Sequence, residues 1–341
     1  MNTAEIRRVL VADPNATRQK VILTACDGRS DIRAVGASTI AETYRQCEAL
    51  SPHYILVASE FERMGGFGGL LSLFELVGAE IVILGATAGS GAAYRTARVA
   101  SPDDALSLLA ALVPTASPRM AETQPARPAT TAPRPASSAE GRTPEIVAIG
   151  ASTGGIVAIE KILRSFPADC PPTLVVQHIR PGFSESVVRR LDGLVQPRVV
   201  AADDGLPVRR GTVYFAHAAD RHLTLVSRAG LHTRLSDAPA MSGHRPSIDM
   251  MFLSLAALAG RFRISAALLT GMGADGAEGM AELRQSEAFT IAQDKETSVV
   301  WGMPQAAIRL GGAASVLPLD DIAEALLTGR AASARAGQVV P

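Results

Sequence analysis

The sequence predicts an α/β protein of two domains, each built around a mainly parallel sheet covered by helices. Two observations predict this fold. Short apolar strands alternate with amphipathic helical stretches, and a segment rich in Pro, Ala, Ser and Thr interrupts the alternation at 115–143. A third observation, period-two alternation at 211–236, predicts an antiparallel hairpin attached to the second sheet. We therefore expect domains at 1–114 and 144–341, joined by a flexible linker.

The composition and charge of the chain limit the classes of protein to which it can belong. The chain has 341 residues, 47% of them hydrophobic, and a formal net charge of zero. Neutrality gives no support for nucleic-acid binding, and no uncharged stretch approaches the ~18 apolar residues that a membrane span needs. The three cysteines lie far apart without a CxxC spacing, which is typical of buried thiols in a reducing compartment. We expect a cytoplasmic protein without membrane insertion, metal or cofactor.

Apolar runs place the strands of both domains. In the first domain the predicted strands are 7–12, 32–37, 54–58 and 81–85. In the second domain they are 145–151, 173–179 and 264–271, before and after the predicted hairpin. The carboxyl ends of parallel strands meet at one edge of a sheet, so the residues that follow these strands are candidates for a common site.

The turn Gly150-Ala151-Ser152-Thr153-Gly154 lies between a predicted strand and a predicted helix. It allows three interpretations. A phosphate-binding loop would expose backbone amides, but this stretch lacks the Walker lysine and the G-x-G-x-x-G spacing. Ser152 could simply cap the helix. The pattern also fits G-x-S-x-G, in which a sharp turn presents a serine nucleophile.

A nucleophilic serine needs a base and an orienting carboxylate. His178 follows the strand at 173–179, and Asp275 lies in the glycine-rich loop after 264–271. Together with Ser152, these residues predict a Ser-His-Asp site at the carboxyl edge of the sheet. A weaker arrangement would pair Ser152 with His244 and with Asp203 or Asp204.

Further histidines and an arginine lie near these motifs. His217, His222 and His232 could suggest a metal site, but an alternating hairpin without a nearby cysteine does not favour one. Arg245, in the segment GHRPS, is expected beside the cleft, where it would either bind substrate or pair on the surface.

The extended blocks IGASTGG, VVQHI, GHRPSIDMMFLS, LLTGMGADGAEG and WGMPQAAI are similar to those of the chemotaxis protein-glutamate methylesterase (CheB) family. The resemblance implies hydrolysis of γ-glutamyl methyl esters on methyl-accepting chemotaxis receptors, with possible deamidation of receptor glutamines. It places the catalytic residues at Ser152, His178 and Asp275. For the oxyanion the candidates are the backbone amides of Thr153 and Met272.

Residues 6–113 resemble the flavodoxin-like receiver domain of response regulators, which the family places before its catalytic domain. The phosphoacceptor position is Ala58, and of the acidic pair that binds Mg²⁺ only Asp13 remains. An alanine methyl group cannot accept a phosphoryl group, so we expect a receiver that is not phosphorylated. Glu60 lies two residues further on and is a poor substitute. In the family the receiver packs over the catalytic cleft. Here two hypotheses follow: either the domains are parted by default and the esterase is constitutively active, or a protein partner replaces the phosphate signal.

A non-enzymatic interpretation uses the same observations. A protein with a degenerate receiver could act as a scaffold that binds receptors. A chain that had lost its activity would be expected to lose its reactive residues first, and all three are present.

Overall fold

The computed structural model describes residues 6–64, 67–85, 94–113, 145–179, 183–217 and 220–330. The predicted linker at 115–143 lies outside this range. Across the described residues the architecture is α/β, with two mainly parallel sheets, and this confirms the predicted fold class. No helix in the described part of the chain is long and apolar enough to cross a membrane.

The first domain contains a parallel sheet with the strand order β2-β1-β3-β4-β5, which is the flavodoxin-like order. Its strands are β1 (Arg7–Ala12), β2 (Ile32–Ala37), β3 (Tyr54–Ala58), β4 (Glu80–Leu84) and β5 (Arg95–Ala97). Its helices are α1 (Ala16–Asp27), α2 (Ile40–Leu50), α3 (Phe67–Leu76) and α4 (Pro102–Leu112), with a 3₁₀ turn at Ser59–Arg63. Four strands lie within one residue of their predicted bounds.

The second domain is built on a parallel sheet with the order β14-β13-β12-β6-β7-β9-β8. Its strands are β6 (Glu145–Ala151), β7 (Thr173–Gln177), β8 (Arg198–Ala201), β9 (Thr212–Phe215), β12 (Arg263–Leu268), β13 (Phe289–Gln293) and β14 (Ser315–Leu317). Its helices are α5 (Gly155–Arg164), α6 (Ser184–Leu194), α7 (Ile248–Ala256), α8 (Ala277–Gln285), α9 (Met303–Arg309) and α10 (Leu319–Thr328). The chain leaves β6 towards β7 on one side and returns to β12 on the other. This switch in strand order opens a crevice at the carboxyl ends of β6 and β12.

The hairpin prediction was partly wrong. Its first part, β9, joins the main sheet in parallel between β7 and β8. Only β10 (His222–Ser227) and β11 (Leu231–Ser236) pair in antiparallel fashion, and they form a separate two-stranded sheet. A short apolar run such as TVYF has no pattern that distinguishes a buried parallel strand from the first strand of a hairpin.

The two domains share a hydrophobic core. One continuous cluster of buried apolar residues includes Tyr44 and Phe74 from the first domain and Ile159 and Phe166 from the second. Helix α3 packs on α5, where a Cβ at Gly69 would lie 3.5 Å from Val157 Cγ1. The first domain therefore covers the side of the second domain on which α5 begins.

Candidate active site

Ser152 lies between β6 and α5, at the tip of a tightly held turn. Its backbone N–H donates to the Thr270 carbonyl at 3.0 Å, and its own carbonyl accepts from the Gln177 amide at 2.8 Å. The residue that caps α5 is Gly154, whose φ of +79° is left-handed. Ser152 is therefore not the cap of this helix, and its hydroxyl remains available for chemistry.

Two glycines allow the close packing around the serine. A Cβ at Gly155 would lie 2.2 Å from Gln177 Oε1, and a Cβ at Gly271 would lie 2.7 Å from Ser152 Cβ. Contacts this short do not occur between real side chains, so any larger residue would displace the turn. The glycine-rich motifs thus fix the position of the serine.

His178 lies one residue beyond β7, and its ring faces Asp275. Its Nε2 is 2.8 Å from Asp275 Oδ2. An ionised carboxylate can only accept, so Nε2 is the donor in this contact, and in a neutral imidazole Nδ1 is then the acceptor. Nδ1 is buried and has no hydrogen-bond partner among the described residues. Ser152 and His178 line the same cavity.

Asp275 is held by the start of helix α7. Only 1% of its surface is exposed. One oxygen accepts from Ser247 Oγ at 2.8 Å and Asp249 N–H at 3.1 Å, and the other accepts from Ile248 N–H at 2.9 Å. Burial raises the pKa of the carboxyl, but the bonds from His178 and from the α7 residues outweigh it and lower the pKa to about 2. Asp275 therefore stays ionised throughout the physiological range.

His244 stacks on the imidazole of His178. The ring centroids of His178 and His244 are 3.9 Å apart, and their planes differ by 8°. Burial, followed by the proximity of His178, lowers the pKa of His244, so its ring stays neutral. Asp204 accepts from the Leu235 N–H and Asp203 lies beside His217. The structure thus does not bring either aspartate to His244, as the weaker arrangement would require.

The cavity above the triad has a volume of about 390 Å³. Thr153 and Arg245 line it, and Arg245 also donates to the Ala238 carbonyl at 3.4 Å. Met272 lies in the adjoining loop with 56% of its surface exposed. Sequence reasoning missed three contributors: Ser247, His244 as a stacking partner, and Glu48 of helix α2, which also lines the cavity.

Of the three histidines considered for a metal site, His222 is held by hydrogen bonds on both ring nitrogens. His222 Nδ1 accepts from the Ser247 N–H at 3.1 Å, and its Nε2 lies 3.2 Å from the Ala238 carbonyl. Within the described ranges, no group of three or more His, Cys, Asp or Glu side chains is arranged to hold a metal ion.

In the first domain, an arginine lies where a receiver would bind its metal. Arg18 contacts Asp13 through Nε at 2.5 Å and Nη2 at 2.9 Å, and Nη2 also reaches Glu60 at 2.8 Å. Ala58 is fully buried beside this group at the end of β3. The side-chain bond to Asp13 raises the pKa of Arg18, although burial opposes it, so the guanidinium is a permanent cation. Ser101 caps α4.

A serine, a histidine and a buried aspartate at the carboxyl edge of a parallel sheet define a serine hydrolase, here preceded by a receiver-like domain. Residues 147–326 match the family described as CheB methylesterase. The chain belongs to this family.

Relatives and solved structures agree with this assignment. The chain is 34% identical to the protein-glutamate methylesterase/protein-glutamine glutaminase of Agrobacterium fabrum, over 94% of this chain and 96% of that protein. It is 38% identical to a second protein of that name from Cereibacter sphaeroides, over 96% and 93%. The chain is also similar to the crystal structure of the Thermotoga maritima CheB methylesterase catalytic domain, with 38% sequence identity and a TM-score of 0.51. The match covers 54% of this chain and 97% of that domain.

Proposed function

We propose that this chain removes methyl groups from γ-glutamyl methyl esters of methyl-accepting chemotaxis receptors, and deamidates receptor glutamines, with Ser152, His178 and Asp275 as its catalytic residues. Membership of the family makes the chain a protein-glutamate methylesterase/protein-glutamine glutaminase. The single observation that supports the assignment of residues is the 2.8 Å contact of His178 with a buried aspartate, in the cavity that Ser152 lines.

In this mechanism Ser152 Oγ attacks the ester carbonyl while His178 Nδ1 accepts its proton. Asp275 holds Nε2–H and stabilises the imidazolium that forms. His178 then protonates the departing methoxide, which leaves as methanol, and water repeats the sequence to release glutamate. Such acid–base assistance contributes ~10²–10⁴-fold to the rate.

We assign stabilisation of the oxyanion to the backbone amides of Thr153 and Met272, because both residues belong to turns that flank the serine. Removing one donor of this kind costs ~10²–10³ in rate. Arg245 lines the cavity and is suited to hold an acidic part of the receptor.

The receiver-like domain and the linker at 115–143 belong to this proposal as the regulatory part of the chain. We propose that the receiver takes no phosphoryl group at Ala58, and that a protein partner at this domain replaces the signal. The protein acts in the cytoplasm, where the receptors expose their methylated segments.

Methanol release from a methylated receptor fragment tests the assignment of Ser152. We expect release by the full chain, and a loss to background in Ser152→Ala. Ser165→Ala is the matched control, because Ser165 lies exposed at the opposite end of α5. A full chain that binds receptor but releases no methanol would favour the scaffold interpretation instead.

A further inference from the structure

A glutamate from the first domain reaches into the catalytic cavity. Glu48, in the last turn of α2, lines the cavity together with Ser152 and His178. Only 8% of its surface is exposed. Its carboxyl group accepts a hydrogen bond from the backbone N–H of Gly154, two residues after the nucleophile, while its Oε1 has no partner in the described part of the chain.

Burial of the Glu48 carboxyl group would be unfavourable if the side chain only filled space between the two domains. Burying a carboxyl group with one oxygen unsatisfied destabilises a contact, and an apolar residue of similar size would serve better. Burial raises the pKa of Glu48 to about 8, although the Gly154 bond opposes it, so at neutral pH the group is mostly protonated and uncharged. In that form it matches the neutral ester or amide that the site is proposed to hydrolyse.

We propose that Glu48 is a built-in mimic of the product: helix α2 presents its carboxyl group beside the Ser152 turn, held there by the Gly154 N–H, as a receptor helix would present its glutamate. The inference rests on the proposed function, since the mimic is defined by a product that is a protein glutamate. Arg45 and Ala49, three residues before and one after Glu48, line the same cavity. The receiver thus inhibits by occupying the acyl subsite as well as by covering the cleft.

If Glu48 occupies the position of the product, a glutamine at position 48 should be deamidated by Ser152 of the same molecule. In Glu48→Gln, Ser152 Oγ attacks Cδ, the C–N bond breaks, and ammonia leaves with a proton from His178. Water then cleaves the ester to Ser152 and leaves a glutamate at position 48. The amide is isosteric with the acid and its oxygen can keep the Gly154 bond, so the variant is expected to fold.

Peptide mass spectrometry of the full-length Glu48→Gln chain reads this conversion directly. We expect position 48 to become glutamate over hours, and to remain glutamine in Glu48→Gln with Ser152→Ala. Gln46, a natural glutamine on the same helix that lines a different groove, is an internal control and should stay unchanged. Persistence of the introduced glutamine, or conversion that is independent of Ser152 or equal at Gln46, would overturn the proposal.

Methanol release by the wild-type chain separates the two proposals. Receptor hydrolysis by the wild-type chain, with the introduced glutamine unconverted in the Glu48→Gln variant, would overturn the mimic and leave the esterase intact. Conversion at position 48, with no receptor hydrolysis by the wild-type chain or by Glu48→Ala, in which the acyl subsite is vacated, would support the mimic and overturn the receptor as substrate.

Discussion

Each of the two parallel sheets in the described part of the chain has a buried aspartate at its carboxyl edge, and one of these two aspartates lies in a site suited to catalysis. Asp13 follows β1 of the receiver, and Asp275 lies in the loop after β12 of the catalytic domain; both are almost fully buried. Asp13 is paired with Arg18, and Asp275 with His178. An arginine holds its proton at every physiological pH, whereas an imidazole can exchange one. The side chain that pairs with the buried aspartate, more than the aspartate itself, therefore decides whether the site can perform acid–base chemistry.

The largest expected effect is that of replacing His178, the proposed base at the carboxyl edge of the second domain's sheet. His178→Gln should lower kcat/KM for ester hydrolysis on the order of 10⁴-fold, because Ser152 loses its proton acceptor. His244→Gln should lower it only about tenfold, since His244 stacks on the base without accepting the proton. Methanol release by the two variants measures both effects. If His244→Gln proved the inactive variant, His244 would replace His178 as the base.

The second prediction concerns the carboxylate of the same edge. Asp275→Asn should reduce kcat by about 10³–10⁴-fold, because an amide cannot accept from both His178 and the start of α7, and the histidine loses its tautomer. Steady-state kinetics with an unfolding midpoint would check this. Asp237→Asn, at an exposed carboxylate of the same domain, should leave kcat unchanged. Equal activity of the two variants would contradict the role of Asp275.

The third prediction tests the pair of Arg18 and Asp13 in the first domain. Arg18→Ala should destabilise the protein by about 3 kcal/mol, since it leaves the buried Asp13 without its cation. Arg63→Ala, at an exposed arginine of the neighbouring 3₁₀ turn, is the control. Urea unfolding of the full chain measures the difference. Similar midpoints for the two variants would show that Asp13 does not depend on Arg18.

The smallest expected effect is a pH dependence of the contact that Glu48 makes between the two domains. The pKa of Glu48 is about 8 when docked, against an ordinary 4.5, so docking favours the protonated form. That contribution is complete below pH 4.5 and is lost as the pH rises through about 8. The groups that face Glu48 are Tyr44 and Cys47 on its own helix, Arg45 at the cavity, and His178, His244 and Arg245 across it.

We therefore expect the activity of the wild-type chain, divided by that of Glu48→Ala, to rise several-fold between about pH 6.5 and 8.5. The division removes any pH dependence that the two chains share. A ratio that stays flat would mean that Glu48 does not titrate at the interface.

Much of this fold could be predicted from local sequence. Strands such as 54–58 and 145–151 are short apolar runs bounded by polar or small residues, and their residues alone determine their type. The site was predictable to the extent that it lies at strand ends. Ser152, His178 and Asp275 each follow a strand, and parallel topology brings such positions together.

The remaining contributors depend on contacts between distant elements. Glu48 reaches the cavity from another domain, and nothing in the surrounding IAETYRQCEAL distinguishes it from a solvent-exposed glutamate. Arg18 lies in the first turn of α1, where an arginine usually faces water. For Ser247 a signal existed: a serine directly before the helical run at 248–256 is typical of an N-cap, and a helix start favours a carboxylate such as Asp275.

The apolar core that runs through both domains has a consequence for how the molecule opens. Separating α3 from α5 would expose side chains such as Val157 that now lie against the other domain. Water makes that separation unfavourable in proportion to the apolar area exposed. The domains are thus expected to melt as one cooperative unit, and a partner that activates the enzyme must offer an apolar surface of its own to replace the one it uncovers.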